Sequence, residues 1–340
     1  MLRSVHMTGS IGNATAWPVT FEDVLAAAER LRHHLRPTPL RDYAPLDAVV
    51  GEGIRVFVKH ENHHPTNSFK ARNGLSVLTA LSADERRRGV VAATRGNHGL
   101  GLAYAGRLLG APVVICVPHG NNPEKNDAVR GFGAELIEEG RDYDEAVEVA
   151  KRLVRERGLR MVHSTAEPLV IAGAGTLTLE MLLEHGDLDA LVLSVGGGSQ
   201  AVGALTVARR MAPRLEVYGV QAAGAPVLWE SWRAGHPVEG ARADTFADGL
   251  ATRVAYPIVV GPLRTGLTDF VKVSEREIAT AVRTYLSTTH NLAEGAGAAG
   301  LAGLMRLRER LAGKRVGLVL SGGNIDAITL RRVLDGSIER

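Results

Sequence analysis

Only six of the 40 basic residues are lysines, namely Lys59, Lys70, Lys125, Lys151, Lys272 and Lys314, and the rest are arginine. Chemistry that needs an amine nucleophile therefore has a short list of candidates. Cysteine is scarcer still. Cys116 is the single one, set in the apolar run Ala111 to Val117, so neither a disulfide framework nor a cysteine metal cluster forms within one chain. It reads as a core thiol. Aromatics make up 4% against 39 glycines and 45% hydrophobic residues, the profile of a compact α/β protein built on Ala, Val and Leu rather than a disordered or collagen-like one. Positive charge exceeds negative by only 3, which gives no basic field for nucleic acid. No stretch reaches the ~18 apolar residues of a membrane span, and Met1 to Pro18 has no continuous apolar core of a signal peptide. These absences predict a cytoplasmic protein without nucleic-acid or membrane partners. At 340 residues it is long enough for about two ordinary domains.

Residues before about Pro18 lack periodicity and read as a loose arm. Phe21, Val24, Leu25, Ala28 and Leu31 then recur at helical spacing behind Thr20, ending before Pro37 and Pro39. Ile54, Val56 and Val58 alternate with Arg55, Phe57 and Lys59, as in a short strand that delivers the chain to His60 and Glu61. Strand-then-helix units follow at Val90 to Leu109 and Pro112 to Gly131, then a charged helix from Tyr143 to Arg157 and a short strand at Met161-Val162. A second set comprises a helix around Thr176 to Glu184, strands at Leu191 to Val195, Val217 to Val220 and Val316 to Leu320, and helices opening at Ser274 and near Gly295. Strand alternating with helix predicts parallel sheet. The expected organisation is α/β with two open twisted lobes: residues 62–160 form a small lobe inserted into a large one of 1–61 and 161–340.

Four polar or glycine-rich junctions stand out, where α/β proteins place ligands. In Asn67-Ser68-Phe69-Lys70-Ala71-Arg72, a lysine meets a helix start and an aromatic ring, a setting that disfavours its ammonium form. In Thr94-Arg95-Gly96-Asn97-His98-Gly99, backbone donors and a hydroxyl can hold a carboxylate, and an amide can bond a phenolate oxygen. Successive glycines in Ser194 to Gln200 let backbone N–H groups converge on a phosphate, although neither the P-loop nor the dinucleotide spacing is present. The fourth is Leu320-Ser321-Gly322-Gly323-Asn324-Ile325-Asp326. Taken singly, a surface lysine, a capping turn and two plain turns would explain them.

Taken in order, Ser68-Phe69-Lys70, Gly96-Asn97-His98, Gly196-Gly197-Gly198 and Ser321-Gly322-Gly323-Asn324 resemble the fold type II pyridoxal-phosphate enzymes, and among them the serine/threonine dehydratases, or threonine ammonia-lyases. The resemblance runs from Thr20 to about Leu330 and takes in Glu124-Lys125-Asn126, Ala247-Asp248-Gly249 and Ala293 to Ala299. It implies a tryptophan synthase β-like architecture with pyridoxal 5'-phosphate in the cleft between the lobes. It further implies that Lys70 is the Schiff-base lysine and proton acceptor. Gly196, Gly197, Gly198 and Ser199 would cradle the phosphate, Asn97 would bond the ring's 3' oxygen and Ser321 would meet the pyridine nitrogen. Thr94, Arg95, Gly96 and His98 would hold the substrate, with Phe69 and Glu294 close behind. The implied reaction is β-elimination of a small L-β-hydroxy amino acid, L-threonine or L-serine first, to a 2-oxo acid and ammonia, by a homodimer.

Two positions depart from the family pattern. Arg95 stands where a small residue or a serine is usual, which predicts little racemisation and opens 3-hydroxyaspartate, or a bulkier 3-hydroxy amino acid, as an alternative substrate. Gln221 stands where cation-dependent relatives carry a glutamate, so no divalent metal is expected; a monovalent ion on backbone oxygens stays open. His63 and His64 lack zinc spacing, and Asp244 and Asp248 read as loop acids. About 15 to 20 residues follow Asn324, too few for the regulatory domain of feedback-inhibited relatives, so control by isoleucine is not expected. β-replacement with a sulfur nucleophile, and a non-catalytic binding protein on the same fold, are the remaining readings.

Overall fold

The computed structural model describes residues 17–240 and 243–339; the loose arm expected before Pro18 lies almost entirely outside them. The strands are β1 (Leu40–Asp42), β2 (Arg55–His60), β3 (Val90–Ala93), β4 (Val113–Val117), β5 (Glu135–Glu138), β6 (Arg160–Met161), β7 (Ala190–Ser194), β8 (Glu216–Ala222), β9 (Asp269–Val273) and β10 (Arg315–Leu320). They form two sheets, a six-stranded one in the order β1-β2-β10-β7-β8-β9 and a four-stranded one in the order β5-β4-β3-β6. All pairings are parallel except β1 with β2. The α/β reading holds, and helices cover both sheets, as parallel sheets require.

Local sequence explains most boundaries. Thr20 and Asp23 cap each other at the start of helix Phe21–Leu31, and Ser274 and Glu277 do the same for Glu275–Thr289. The helix expected near Thr176 begins earlier, as Pro168–Glu184, with proline in its first turn and the Glu167 side chain accepting from Leu169 N. Its interior is buried all round, so no amphipathic period marks its first two turns. Strand β2 falls where the alternating run placed it, and from Val56 to His60 every residue is buried, because β10 pairs on one side, β1 on the other, and Glu180 receives Lys59.

Two features position the site. Strands β7 and β10 are neighbours, so the Gly196 and Ser321 turns that follow them lie side by side at the carboxyl edge of the large sheet. Helix Lys70–Ala80 packs against helix Asn97–Leu109 backbone to backbone. A Cβ on Gly74 would fall on the Gly101 carbonyl oxygen, and one on Gly101 would fall on that of Lys70. Two glycines thus hold the lysine turn and the Asn97 turn at a fixed separation.

Candidate active site

Lys70 opens its helix directly after Phe69, whose ring centroid lies 4.8 Å from the ammonium nitrogen. Its Nζ donates only to the Ser164 carbonyl, at 3.3 Å, among the described residues, and no carboxylate approaches it. Removal from water pushes the amine down to about 8. The neighbouring imidazoles add no acid. His98 is buried and held down at about 3, chiefly by burial and then by Lys70, and its Nε2 faces the Val162 carbonyl at 3.2 Å. His163 is lowered for the same two reasons, and its Nδ1 accepts from Thr165 N and Ala166 N, which leaves the ring proton on Nε2.

The segment Ser164-Thr165 joins this amine to the glycine turn. A Cβ on Gly197 would collide with Thr165 Oγ1, and one on Gly196 with the Gly249 carbonyl oxygen. Gly198, at φ +102, then turns the chain into helix Ser199–Met211, which has no side-chain cap. The N–H groups of that first turn have no carbonyl partners within the helix, and the positive end of its dipole adds to them. Glycine is needed here because Gly249, Thr165 and Val259 leave no room for a Cβ.

The lysine loop and the Ser321 turn are zipped together. Phe69 N donates to Ser321 O at 3.0 Å, Gly323 N donates to Asn67 O at 2.9 Å, and Ser68 bridges Gly322. Glu294 N donates to Gly322 O at 3.0 Å, which brings the start of helix Gly295–Leu307 to the same place. Asn97 Nδ2 donates to Glu294 Oε1 at 2.6 Å, and Asn97 Oδ1 accepts from Asn324 Nδ2 at 2.7 Å. Burial pushes the Glu294 carboxyl up to about 7 against the pull of Lys125 and the Asn97 bond. Lys70, Asn97, Ser321, Glu294 and the Gly196 turn are therefore joined in one connected set of contacts.

The donor set fits pyridoxal phosphate. A desolvated amine, a side-chain-free backbone cradle at a helix start, and the buried unpartnered atoms Ser68 Oγ, Ser194 Oγ and His98 Nδ1 are what a polar, phosphate-bearing group would complete. The pyridoxal-phosphate dependent enzyme family is matched over residues 31–322. The chain belongs to the pyridoxal-phosphate dependent enzymes. An L-threonine ammonia-lyase of Thermotoga maritima is 36% identical over 317 residues, 93% of this chain and 78% of that protein. An L-threo-3-hydroxyaspartate ammonia-lyase of Pseudomonas sp is 33% identical over 321 residues, 93% of this chain and 99% of that protein. The processed threonine deaminase isoform 2 of Solanum lycopersicum superposes with a TM-score of 0.88 at 28% identity, covering 93% of this chain and 87% of that one. The fold is thus that of the fold type II pyridoxal-phosphate enzymes, with pyridoxal phosphate as cofactor.

Within this pyridoxal-phosphate enzyme the remaining predicted residues are placed as follows. Thr94 is buried at the end of β3, and its Oγ1 accepts from Gly96 N at 3.2 Å. Arg95 is exposed at the tip of that turn. Gln221 is buried, its Oε1 taken by Trp229 N at 2.9 Å, and among the described residues no three His, Cys, Asp or Glu side chains cluster as a metal site would require. Cys116 is buried with its thiol pushed up to about 11, an unreactive core residue. His63 meets Asn291 at 2.7 Å, and His64 meets Glu61 at 3.1 Å.

Five residues beyond the expected site residues contribute. Lys125 pairs with Asp248, an acid expected merely to stabilise a turn, and stands over Gly96. Ser164 and Thr165 bridge the lysine to the glycines, and Asn324 fixes Asn97. Lys125 and Asp248 lie in segments that share the family resemblance, yet their meeting over 123 residues of sequence leaves no local signal.

Proposed function

We propose that this pyridoxal-phosphate enzyme is an ammonia-lyase that converts a small L-β-hydroxy amino acid, L-threonine or L-serine first, to a 2-oxo acid and ammonia. The observation that carries the reading is Lys70 Nζ, an amine held near 8 with no counter-ion and with neutral imidazoles for neighbours. Pyridoxal phosphate, when bound, supplies the electron sink that acidifies the substrate's Cα–H and lets the β-hydroxyl depart. Lys70 Nζ would hold the cofactor, and its free amine would be the base that takes the substrate's Cα proton. Backbone N–H groups of Gly196, Gly197, Gly198 and Ser199 hold the phosphate. Asn97 gives an N–H to the 3' oxygen and Ser321 its hydroxyl to the pyridine nitrogen. The turn of Thr94, Arg95, Gly96 and His98 receives the substrate carboxylate, and Phe69 screens the amine from water. The activities of the L-threonine and L-threo-3-hydroxyaspartate ammonia-lyases it is similar to support the substrate class.

A second reading is favoured by one observation: Arg95 is exposed at the substrate turn, free to meet a second carboxylate, and a relative acting on L-threo-3-hydroxyaspartate aligns over nearly its whole length. The test is 2-oxo-acid release from L-threonine, L-serine and L-threo-3-hydroxyaspartate by the wild type and Arg95→Ala. Preference for threonine or serine supports the first reading. Preference for hydroxyaspartate that Arg95→Ala abolishes supports the second, and an unchanged ranking sinks the role of Arg95. Turnover only with added sulfide would make it a β-replacing enzyme, and no turnover with any of them would overturn the lyase reading. The same proposal takes residues 62–160 as the small lobe and the protein as a cytoplasmic homodimer, for which light scattering is the check on oligomeric state.

A further inference from the structure

The Asn97 amide is clamped from both sides, and the chain of partners sets which way it faces. Asn324 Nδ2 donates to the Thr66 carbonyl at 2.8 Å; a carbonyl only accepts, so Asn324 must present its amino group on that side. The same amino group donates to Asn97 Oδ1 at 2.7 Å. Asn97 therefore turns its own amino group to Glu294 Oε1, 2.6 Å away. A primary amide has two N–H donors, and Glu294 occupies one.

We propose that Glu294 is a positioning residue: by accepting one Nδ2 hydrogen of Asn97, it directs the other hydrogen at the cofactor's ring oxygen. The inference rests on the reading of Asn97 as the ligand of that oxygen. Without Glu294, one wall of the clamp is gone and the amide has freedom to rotate or to flip its oxygen toward another acceptor. Glu294 itself is well held. It is buried at the start of helix Gly295–Leu307 and does not cap that helix, so its carboxyl is committed to the cleft and not to its own backbone. The charged groups facing it are Lys125, from helix Pro123–Gly131, and Asp248, from the short turn Asp248–Leu250, and these two pair with each other. Burial above all holds the Glu294 carboxyl up at about 7, and protonation weakens it as an acceptor.

The test is pyridoxal-phosphate titration of apoenzyme, read by absorbance band position and dissociation constant from pH 5.5 to 8.5, with Asn97→Ala, Glu294→Ala and Glu294→Gln. In the wild type, affinity should weaken as pH falls below about 7. Glu294→Gln keeps an oxygen acceptor for Asn97 and should retain the band and the affinity while losing the step near pH 7, with any dependence on Lys70 near 8 left as in the wild type. Glu294→Ala should shift the band and raise the dissociation constant about tenfold, the loss expected of one charge-assisted hydrogen bond. The proposal is overturned if Glu294→Ala binds like the wild type, if Glu294→Gln is as impaired as Glu294→Ala, or if Glu294→Gln keeps the wild-type step near pH 7. That last comparison decides even if Glu294→Ala does not fold. If Asn97→Ala leaves band and affinity unchanged, it is the ring-oxygen reading of Asn97 that fails.

Discussion

Arg72, two residues beyond Lys70, forks onto Glu61, with Nε donating to Oε2 at 2.7 Å and Nη2 to Oε1 at 2.9 Å. Both side chains are buried. The other edge of the guanidinium donates to Glu180 Oε1 at 2.6 Å and Oε2 at 2.7 Å, and Glu180 in turn pairs with Lys59, 2.6 Å away. This network ties the helix that carries Lys70 to the end of β2 and to helix Pro168–Glu184. The helix start that carries Lys70 is thus held from below by charge and from the side by the Gly74–Gly101 contact.

Replacing Arg72 by methionine strands a buried Glu61 carboxylate, and the expected loss is about 3–5 kcal/mol of unfolding free energy. Lysine cannot reproduce the fork and should recover only part of it. Burial favours the neutral Glu61, but Arg72 and His64 outweigh it and hold the carboxyl well below the usual carboxylate range. A depressed folded pKa stabilises above the unfolded value, roughly 4.3, and that stability is lost as pH falls through the folded pKa. Urea denaturation from pH 3 to 7 should show an acid limb that shrinks in Arg72→Met. A loss under 1 kcal/mol would refute the buried-pair account.

The rate at which apoenzyme takes up pyridoxal phosphate should rise with pH and level off once past about 8, where the Lys70 amine becomes neutral. An ordinary lysine would keep rising toward roughly 10.4. Stopped-flow absorbance measures this, and Lys70→Ala should give no Schiff-base band at any pH.

Alanine at Gly196 should harm cofactor binding more than alanine at Gly197. The new Cβ at 196 meets the Gly249 backbone, which cannot turn aside, whereas at 197 it meets Thr165 Oγ1, which can rotate. Equilibrium dialysis of the two variants ranks them, and the reverse order would contradict the geometry.

The Lys125–Asp248 pair should tune Glu294. Lys125 pulls the Glu294 pKa down and Asp248 pushes it up, so the midpoint of the pH-dependent cofactor affinity should move up in Lys125→Met and down in Asp248→Asn. A pair with Asp248 over half exposed contributes only about 1 kcal/mol or less to stability, so thermal unfolding should change little in either variant.

The alternation of short apolar strands with helices, the capping residues Thr20 and Ser274, and the four turns with Lys70, Asn97, Gly196 and Ser321 were legible in the chain, because each is a local pattern. So was the singular setting of Lys70, since a helix start and an aromatic neighbour lie within one residue of it. The burial of Lys59 was not legible. A lysine in a short alternating strand carries no local sign of it, and only the arrival of Glu180 from 121 positions away, with Thr38 O accepting from Nζ at 2.7 Å, makes burial tolerable. Likewise Asp248 looked like a loop acid until Lys125 reached it, and Asn97 looked like a simple ligand until Glu294 and Asn324 claimed both ends of its amide. Sequence by itself determined which residues have the chemistry, because side-chain type and local backbone are written in order along the chain. Tertiary structure decided how acidic, how dry and how oriented those groups are, because field, burial and hydrogen-bond direction come from partners that the chain brings together only by folding.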